Sequence, residues 1–243
     1  MAQEAAQSVK ILLSSEGGKE IFGGYEHYER AKRPWWLGGT LLTYDDALSR
    51  LAIMQKASSS LWKERDDFFP VLKAQHFTRL QIAQALDFEA FLPHNLLLKI
   101  DRCLMVNGME GRTPFLDMDV AASLFNLPDA FKIKNKIPQW LLREWLQLNF
   151  PTALSFEKQN DFIVPISAWI LSKGKEIGFL VAHQKGIAQL CHPEQVESLF
   201  LSSNKTSQRF AWAFLCFALW HQIHILKTPS HEDAFTTLGQ PYF

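Results

Sequence analysis

The sequence predicts an α/β protein that is mostly helical, with one N-terminal strand followed by a bundle of helices. Three observations predict it. Ser8 to Ser14 is an apolar run of strand length, carrying Val9, Ile11, Leu12 and Leu13 and closing on small residues and Gly17-Gly18. Most of the remaining chain repeats apolar residues at helical spacing, as in Phe77 to Phe88 and Phe91 to Met105. With 243 residues, 47% hydrophobic and 13% aromatic, the chain buries a sizeable core in one large or two small domains.

Charge and cysteine use narrow the function classes. Lys plus Arg and Asp plus Glu number 25 each, so no net field recruits nucleic acid or an anionic membrane surface. Cys103, Cys191 and Cys216 are far apart, match no zinc spacing and sit among apolar residues, which points to reduced thiols in a cytoplasmic protein without disulfides. Met1 to Lys10 lacks the apolar core of a secretory signal and is expected to lead straight into the strand. Phe210 to Leu226 is uncharged, but His221, Gln222 and His224 crowd one end, so it reads as a buried helix and not a membrane span. His221, His224 and His231 have no convincing carboxylate or cysteine beside them, and no metal site is expected there.

Taken in order, the strand feeds a turn, and in a parallel sheet such a junction faces the ligand crevice. Ser14 to Tyr25, SSEGGKEIFGGY, is therefore the first candidate for chemistry. A helix is expected over Glu20 to Arg30, broken by Pro34-Trp35-Trp36 and Gly38-Gly39; the paired tryptophans either wedge this loop onto the core or present a binding surface. Tyr44-Asp45-Asp46 caps a helix to about Ser58, Trp62 to Lys73 is irregular around Pro70, and Phe77 to Phe88 is helical. In Phe91 to Asp117 Pro93 suits a first helical turn, Leu96, Leu97, Ile100, Leu104 and Met105 form an apolar face, and Gly108 ends the run. A charged loop with Glu110 and Arg112 follows, then Pro114, Phe115 and Leu116, with Asp117 capping a helix to about Phe125. By residue type alone, Glu110 and Arg112 are a loop-stabilising ion pair or part of a site. Lys132, Lys134 and Lys136 read as a solvated basic face, and Pro138 opens a helix from Gln139 to Asn149 that buries Trp140, Leu141, Trp145 and Leu148 and leaves Arg143 and Glu144 outside. Helices are expected at Ile166 to Ser172, Lys175 to His183, Pro193 to Leu201 and Ser207 to Leu226. One domain over 1–228 and a loosely held tail over 229–243 complete the expectation.

Two stretches carry a family resemblance. Leu92, Pro93, Leu97, Lys99, Asp101, Arg102 and Met105, then Glu110, Arg112 and Pro114 to Asp117, closely resemble the pattern LP-polar-LL-x-K-x-D-R-x-x-M and E-x-R-x-PFLD of the C-terminal, amide-forming domain of glutamine-dependent asparagine synthetases. Ser14, Glu16, Gly17, Gly18, Glu20, Phe22, Gly23, Gly24 and Tyr25 are similar to that family's S-G-E-G-G/S-D-E-x-F-G/A-G-Y. Ser15 stands where the family has glycine, which adds a side chain where the backbone is expected to need positive φ, and Lys19 stands where it has an aspartate implied to hold magnesium.

The resemblance implies the C-terminal part of an adenine-nucleotide α-hydrolase-like (ATP-pyrophosphatase) synthetase domain, amidating aspartate through an aspartyl-adenylate. It implies that Glu16 handles the proton of incoming ammonia and that a lysine steadies the developing oxyanion and pyrophosphate. Pro151 to Trp169 is similar to the segment bearing that lysine, which falls on Lys158 or leaves Lys158 an ordinary surface lysine beside Gln159, with Asp161 in place of a glycine. Ser14, Gly17, Gly18, Glu20, Tyr25, Asp101, Arg102, Glu110 and Arg112 are then expected on the substrate and nucleotide side. The family's catalytic cysteine after the initiator methionine and its S-G-G-x-D-S phosphate loop have no counterpart here. ATP and magnesium are thus implied only when a separate N-terminal chain supplies glutaminase and phosphate loop, with none bound to this chain alone. Aspartate and ammonia are the small-molecule partners, with no role for nucleic acid or membrane. The alternative is a degenerate, non-catalytic remnant or a helical interaction module.

Overall fold

The computed structural model describes residues 2–41, 53, 70–72, 74–157 and 165–239. These form two compact units, one from the described residues of 1–42 and 62–159, the other from those of 43–61 and 160–243. The helix expected near residues 46–58, most of Trp62 to Lys73, and Lys158, Gln159 and Asp161 lie outside the described residues.

The first unit starts with a short helix, α1 (Ala2–Ala5), so the N-terminal segment does not lead straight into the strand. Strand β1 (Ile11–Leu13) is shorter than the apolar run suggests, with three residues in register with a partner strand. That partner is β2 (Glu110–Arg112), parallel to β1 with Ile11 opposite Glu110, Leu12 opposite Gly111 and Leu13 opposite Arg112. The segment expected as a charged loop is therefore a strand. Its three residues have little strand propensity of their own, and pairing with β1 makes it one.

Between the strands lie α2 (Gly18–Ile21), α3 (Glu26–Lys32), a 3-10 turn at Trp35–Leu37 and α4 (Arg79–Leu86). The helix expected over 20–30 is two helices, because Gly23 turns the chain at φ 69° between them. Trp36 is exposed, not wedged into the core. α4 begins with a capping box in which the Thr78 hydroxyl accepts from the Gln81 amide and the Gln81 side chain accepts from the Thr78 amide. It continues through a π-helical stretch, Asp87–Leu97, into α5 (Leu98–Met105), so Pro93 lies inside a continuous helical run and not at a first turn. The widened turns accommodate a ring that an α-helical interior would reject. Gly108, at φ 64°, ends the run as expected.

Beyond β2, Pro114–Leu116 forms a 3-10 turn, and Asp117 caps α6 (Met118–Phe125) by accepting from the amides of Asp119 and Val120. Then come α7 (Asp129–Lys132), the antiparallel pair β3 (Ile133–Lys134) and β4 (Ile137–Pro138), and α8 (Trp140–Asn149). Two expectations here are reversed. Lys132 is buried, not part of a solvated face. On α8 it is Trp145 and Leu148 that are exposed, while half-buried Arg143 donates to the carbonyls of Pro138 and Ser155. A guanidinium that finds backbone acceptors takes the inward position a tryptophan was expected to fill.

The two faces of the parallel pair differ. Leu12 and Gly111 share one face, where α5 packs so closely that a Cβ on Gly111 would lie 2.8 Å from Leu104 Cδ1. Ile11, Leu13, Glu110 and Arg112 share the other, and Leu13 there is 71% exposed. Parallel sheets ordinarily have both faces covered. Among the described residues Leu104 of α5 packs on the Leu12 face, while Ile11 and Leu13 stay exposed on the other.

The second unit is helical: α9 (Ile166–Ser172), α10 (Gly174–Ala182), α11 (Lys185–Ala188), α12 (Pro193–Leu201) and α13 (Lys205–Trp220), which runs on through a π-helical turn at His221–Ile225, then α14 (Ala234–Leu238). Ile170, Val181, Val196, Phe200, Ala211 and Leu215 are central to its core. α13 buries Ala211, Leu215 and Ala218 while Trp212 and Trp220 face outward, so the uncharged run is buried on one face only. No helix among the described residues is long and apolar enough to cross a membrane. The segment after residue 228, expected to be loosely held, places Leu238 in this core. The side-chain amide of Gln184 donates to the Leu238 carbonyl at 2.9 Å.

Candidate active site

The turn after β1 is the centre of the candidate site, and two segments about ninety residues apart in sequence build it together. The Ser14 amide donates to the Arg112 carbonyl at 2.8 Å, extending the strand pairing by one step. The chain then bends at Gly17, where φ is 87°, a conformation that costs a side-chain-bearing residue about 1–2 kcal/mol. A Cβ there would overlap Leu116, 2.6 Å from its Cγ, and one on Gly18 would sit 3.1 Å from Phe115 Cδ2. Phe22 meets the Phe115 ring edge-on at 5.7 Å. The paired glycines thus admit Phe115 and Leu116 against the acidic turn. Ser15 is not among the residues of positive φ, so its departure from the family's glycine strains nothing.

Glu16 is half-buried at the carboxyl end of β1, its amide bonded to Ser14 Oγ at 3.3 Å. Glu20, one turn along, is buried, and the Tyr25 hydroxyl donates to its Oε1 at 2.7 Å. Burial, reinforced by that hydrogen bond and by the charges of Glu20, Glu16 and Asp87, holds the Tyr25 phenol well above its usual range. Lys19 is exposed, with its ammonium 5.7 Å from the centre of the Tyr25 ring. Behind Tyr25, Asp87 Oδ2 accepts from the Tyr28 hydroxyl at 2.5 Å and lies 2.8 Å from His27 Nε2. Burial and then the Asp87 charge raise the Tyr28 phenol as well.

Six of the expected residues, Ser14, Glu16, Gly17, Gly18, Glu20 and Tyr25, therefore fall in one cluster. Glu110 and Arg112 lie on the adjacent strand and pair with each other at 2.6 Å, with side chains 55% and 62% exposed. Pairs so open contribute about 0–1 kcal/mol. Asp101 and Arg102 are exposed on α5, and no described hydrogen bond or ion pair joins them to the cluster. Lys158 lies outside the described residues.

Gln84 and Lys132 belong to the site without having been expected there. The Gln84 amide nitrogen donates to the carbonyls of Glu20 and Ile21 at 2.6 and 2.8 Å, and Lys132 Nζ donates to Gln84 Oε1 at 2.9 Å. His27, Tyr28 and Asp87 were missed too. A polar residue within an apolar helical pattern was the only signal for Gln84.

The magnesium implied by the family does not fit the described residues. An ammonium, Lys19, stands where a carboxylate donor is needed, and the Glu20 carboxylate is buried against Tyr25. Among the described residues no three His, Cys, Asp or Glu side chains gather closely enough to hold a metal ion.

A family model described as asparagine synthase matches residues 1–222. The chain is 24% identical to asparagine synthetase [glutamine-hydrolyzing] 1 of Bacillus subtilis over an alignment covering 96% of this chain and 43% of that protein. It is 26% identical to the putative asparagine synthetases [glutamine-hydrolyzing] of Mycobacterium bovis and Mycobacterium tuberculosis, with 93% of this chain and 41% of each relative covered. The chain thus spans less than half the length of these relatives. No solved structure matches it.

Proposed function

Because the chain belongs to the asparagine synthase family, we propose that it supplies the amide-forming part of an ATP-dependent synthetase converting aspartate to asparagine, completed by further protein that brings the glutaminase and the phosphate-gripping loop. The single observation carrying this reading is the meeting of the Ser14–Tyr25 and Glu110–Asp117 motifs at the carboxyl end of a parallel strand pair, where ligands of α/β sheets bind. The assignment to an adenine-nucleotide α-hydrolase-like fold is part of the proposal and agrees with that topology.

In this reading Glu16 takes up a proton as ammonia attacks the activated carboxyl of aspartate. Attack by an amine releases protons that a carboxylate near the carbonyl accepts. Glu20 is held by Tyr25 and shapes the turn. No step is assigned to magnesium in this chain, since the donors present do not suit it. Among the described residues Ile11 and Leu13 remain exposed beside the Glu110–Arg112 ion pair, and apolar side chains left in water on one face of a parallel pair favour completion by additional chain.

The test is aspartate-dependent pyrophosphate release with ATP and ammonia, from this chain alone and from its mixture with the N-terminal part of a matched relative. Activity is expected only in the mixture and is expected to vanish with Glu16→Ala. Turnover by the lone chain would overturn the requirement for completion, and full turnover by Glu16→Ala in the mixture would remove Glu16 from the reaction.

A further inference from the structure

α2 is four residues long, too short to hold itself as a helix, and its last carbonyls need partners outside it. Gln84 supplies them. Its amide nitrogen spends both hydrogens on the carbonyls of Glu20 and Ile21, at 2.6 and 2.8 Å, from a position that is fully buried. A carboxamide can present either end to those carbonyls, and only the nitrogen end bonds them. What fixes the choice is Lys132. Its Nζ donates to Gln84 Oε1 at 2.9 Å and to the Phe125 carbonyl at 2.7 Å, and lies 5.1 Å from the centre of the Phe125 ring. An ammonium is donor only, so the Gln84 oxygen must face it and the nitrogen must face α2. The helix-to-strand junction at Lys132–Ile133 also seats the other end of the turn, because a Cβ on Gly23 would come within 3.1 Å of Ile133 Cγ1 and 3.5 Å of Lys132 Cβ.

We propose that Lys132 is a positioning residue that acts through Gln84, orienting its amide so that the acidic turn from Glu16 to Tyr25 is held in the geometry the reaction needs. The brace rests on hydrogen bonds within one unit of the fold; its consequence for turnover rests on the function proposed above. Burial lowers the Lys132 pKa to about 8, opposed by the Asp129 charge, so a lysine here carries a cost that an apolar residue would avoid.

Two variants of the full chain separate positioning from mere packing. Lys132→Met removes the donor that orients Gln84. Gln84→Glu keeps a partner for Lys132 and nearly the same volume, but offers acceptors where α2 presents carbonyls. Amide hydrogen exchange reads the turn directly, through the Ile21, Phe22 and Gly24 amides that bond Gly17, Gly18 and Lys19 carbonyls. Both variants are expected to speed exchange at these amides by about tenfold or more, the loss of one or two buried hydrogen bonds, while amides of α12 and α13 keep their rates.

Unchanged exchange at the turn in Gln84→Glu, or a rise spread evenly over the whole chain in both variants, would overturn the brace. In the complemented enzyme the same variants are expected to lower kcat about tenfold or more with KM for ATP little changed. If wild-type mixtures show no turnover, the functional reading has failed, and the exchange result still decides the brace.

Discussion

Gly17→Ala isolates the contact on which the candidate site is built. Two costs add at this position. The left-handed backbone, φ 87°, penalises any Cβ by about 1–2 kcal/mol. The new methyl would also overlap Leu116, 2.6 Å from its Cγ, and forcing a methyl into packed side chains costs about 1–3 kcal/mol. Taken together the substitution is expected to destabilise the protein by about 3 kcal/mol, read by urea unfolding with linear extrapolation. The two costs separate in a Leu116→Ala background, where the overlap is relieved and only the backbone cost, about 1 kcal/mol, should remain. A Gly17→Ala loss of the same size in both backgrounds would refute the packing of Leu116 on the turn. A loss near zero in the parent would refute the backbone argument as well.

Tyr25→Phe removes the hydroxyl that donates to Glu20 at 2.7 Å and leaves that carboxylate, 1% exposed, without this donor. The expected loss is about 1–3 kcal/mol in thermal or urea unfolding, larger than an exposed tyrosine hydroxyl would give. Lys132 makes stability depend on pH in a stated direction. Its folded pKa, about 8, lies below the unfolded value, 10.5, so the folded state sheds the proton first and stability is lost as pH falls through 8. Between pH 7 and 9 the wild type should therefore gain stability with rising pH, and Lys132→Met should lack that gain. Above pH 9 the raised Cys191 thiol, pushed up to about 11, and the raised Tyr25 and Tyr28 phenols work the other way, so the window closes there.

The legible parts of the sequence are those whose signals are local. Gly17-Gly18 after an apolar run marks a strand-to-turn junction, and Asp117 before Met118–Phe125 marks a helix cap, because each signal is contained in a few adjacent residues. β2 was illegible: Glu110, Gly111 and Arg112 are poor strand formers, and only β1, about a hundred residues earlier, makes them one. Lys132 and Arg143 read as solvent-facing in the sequence for a related reason. Their long stems bury readily, and the carbonyls that accept from their charged ends, on Phe125, Pro138 and Ser155, leave no trace in the side-chain pattern. Pro93 misled in the opposite way, since a residue common at helix starts stands in a π-helical interior.

The candidate site's carboxylates are distinguished by environment, and this bears on which of them serves the chemistry. Glu110 spends its charge on Arg112 in water, an arrangement that orders a surface more than it stores reactivity. Glu20 is buried and receives the Tyr25 hydroxyl, so taking up a proton there would compete with a bond the turn depends on. Glu16 is half-buried, sits at the strand's carboxyl end, and among the described residues no donor reaches its carboxylate. A proton acceptor must be reachable by substrate and must have a lone pair to offer. Glu16 meets both conditions, which favours it over Glu20 and Glu110 for the proton uptake proposed above, while Gln84, held by Lys132, bonds the Glu20 and Ile21 carbonyls of the same turn.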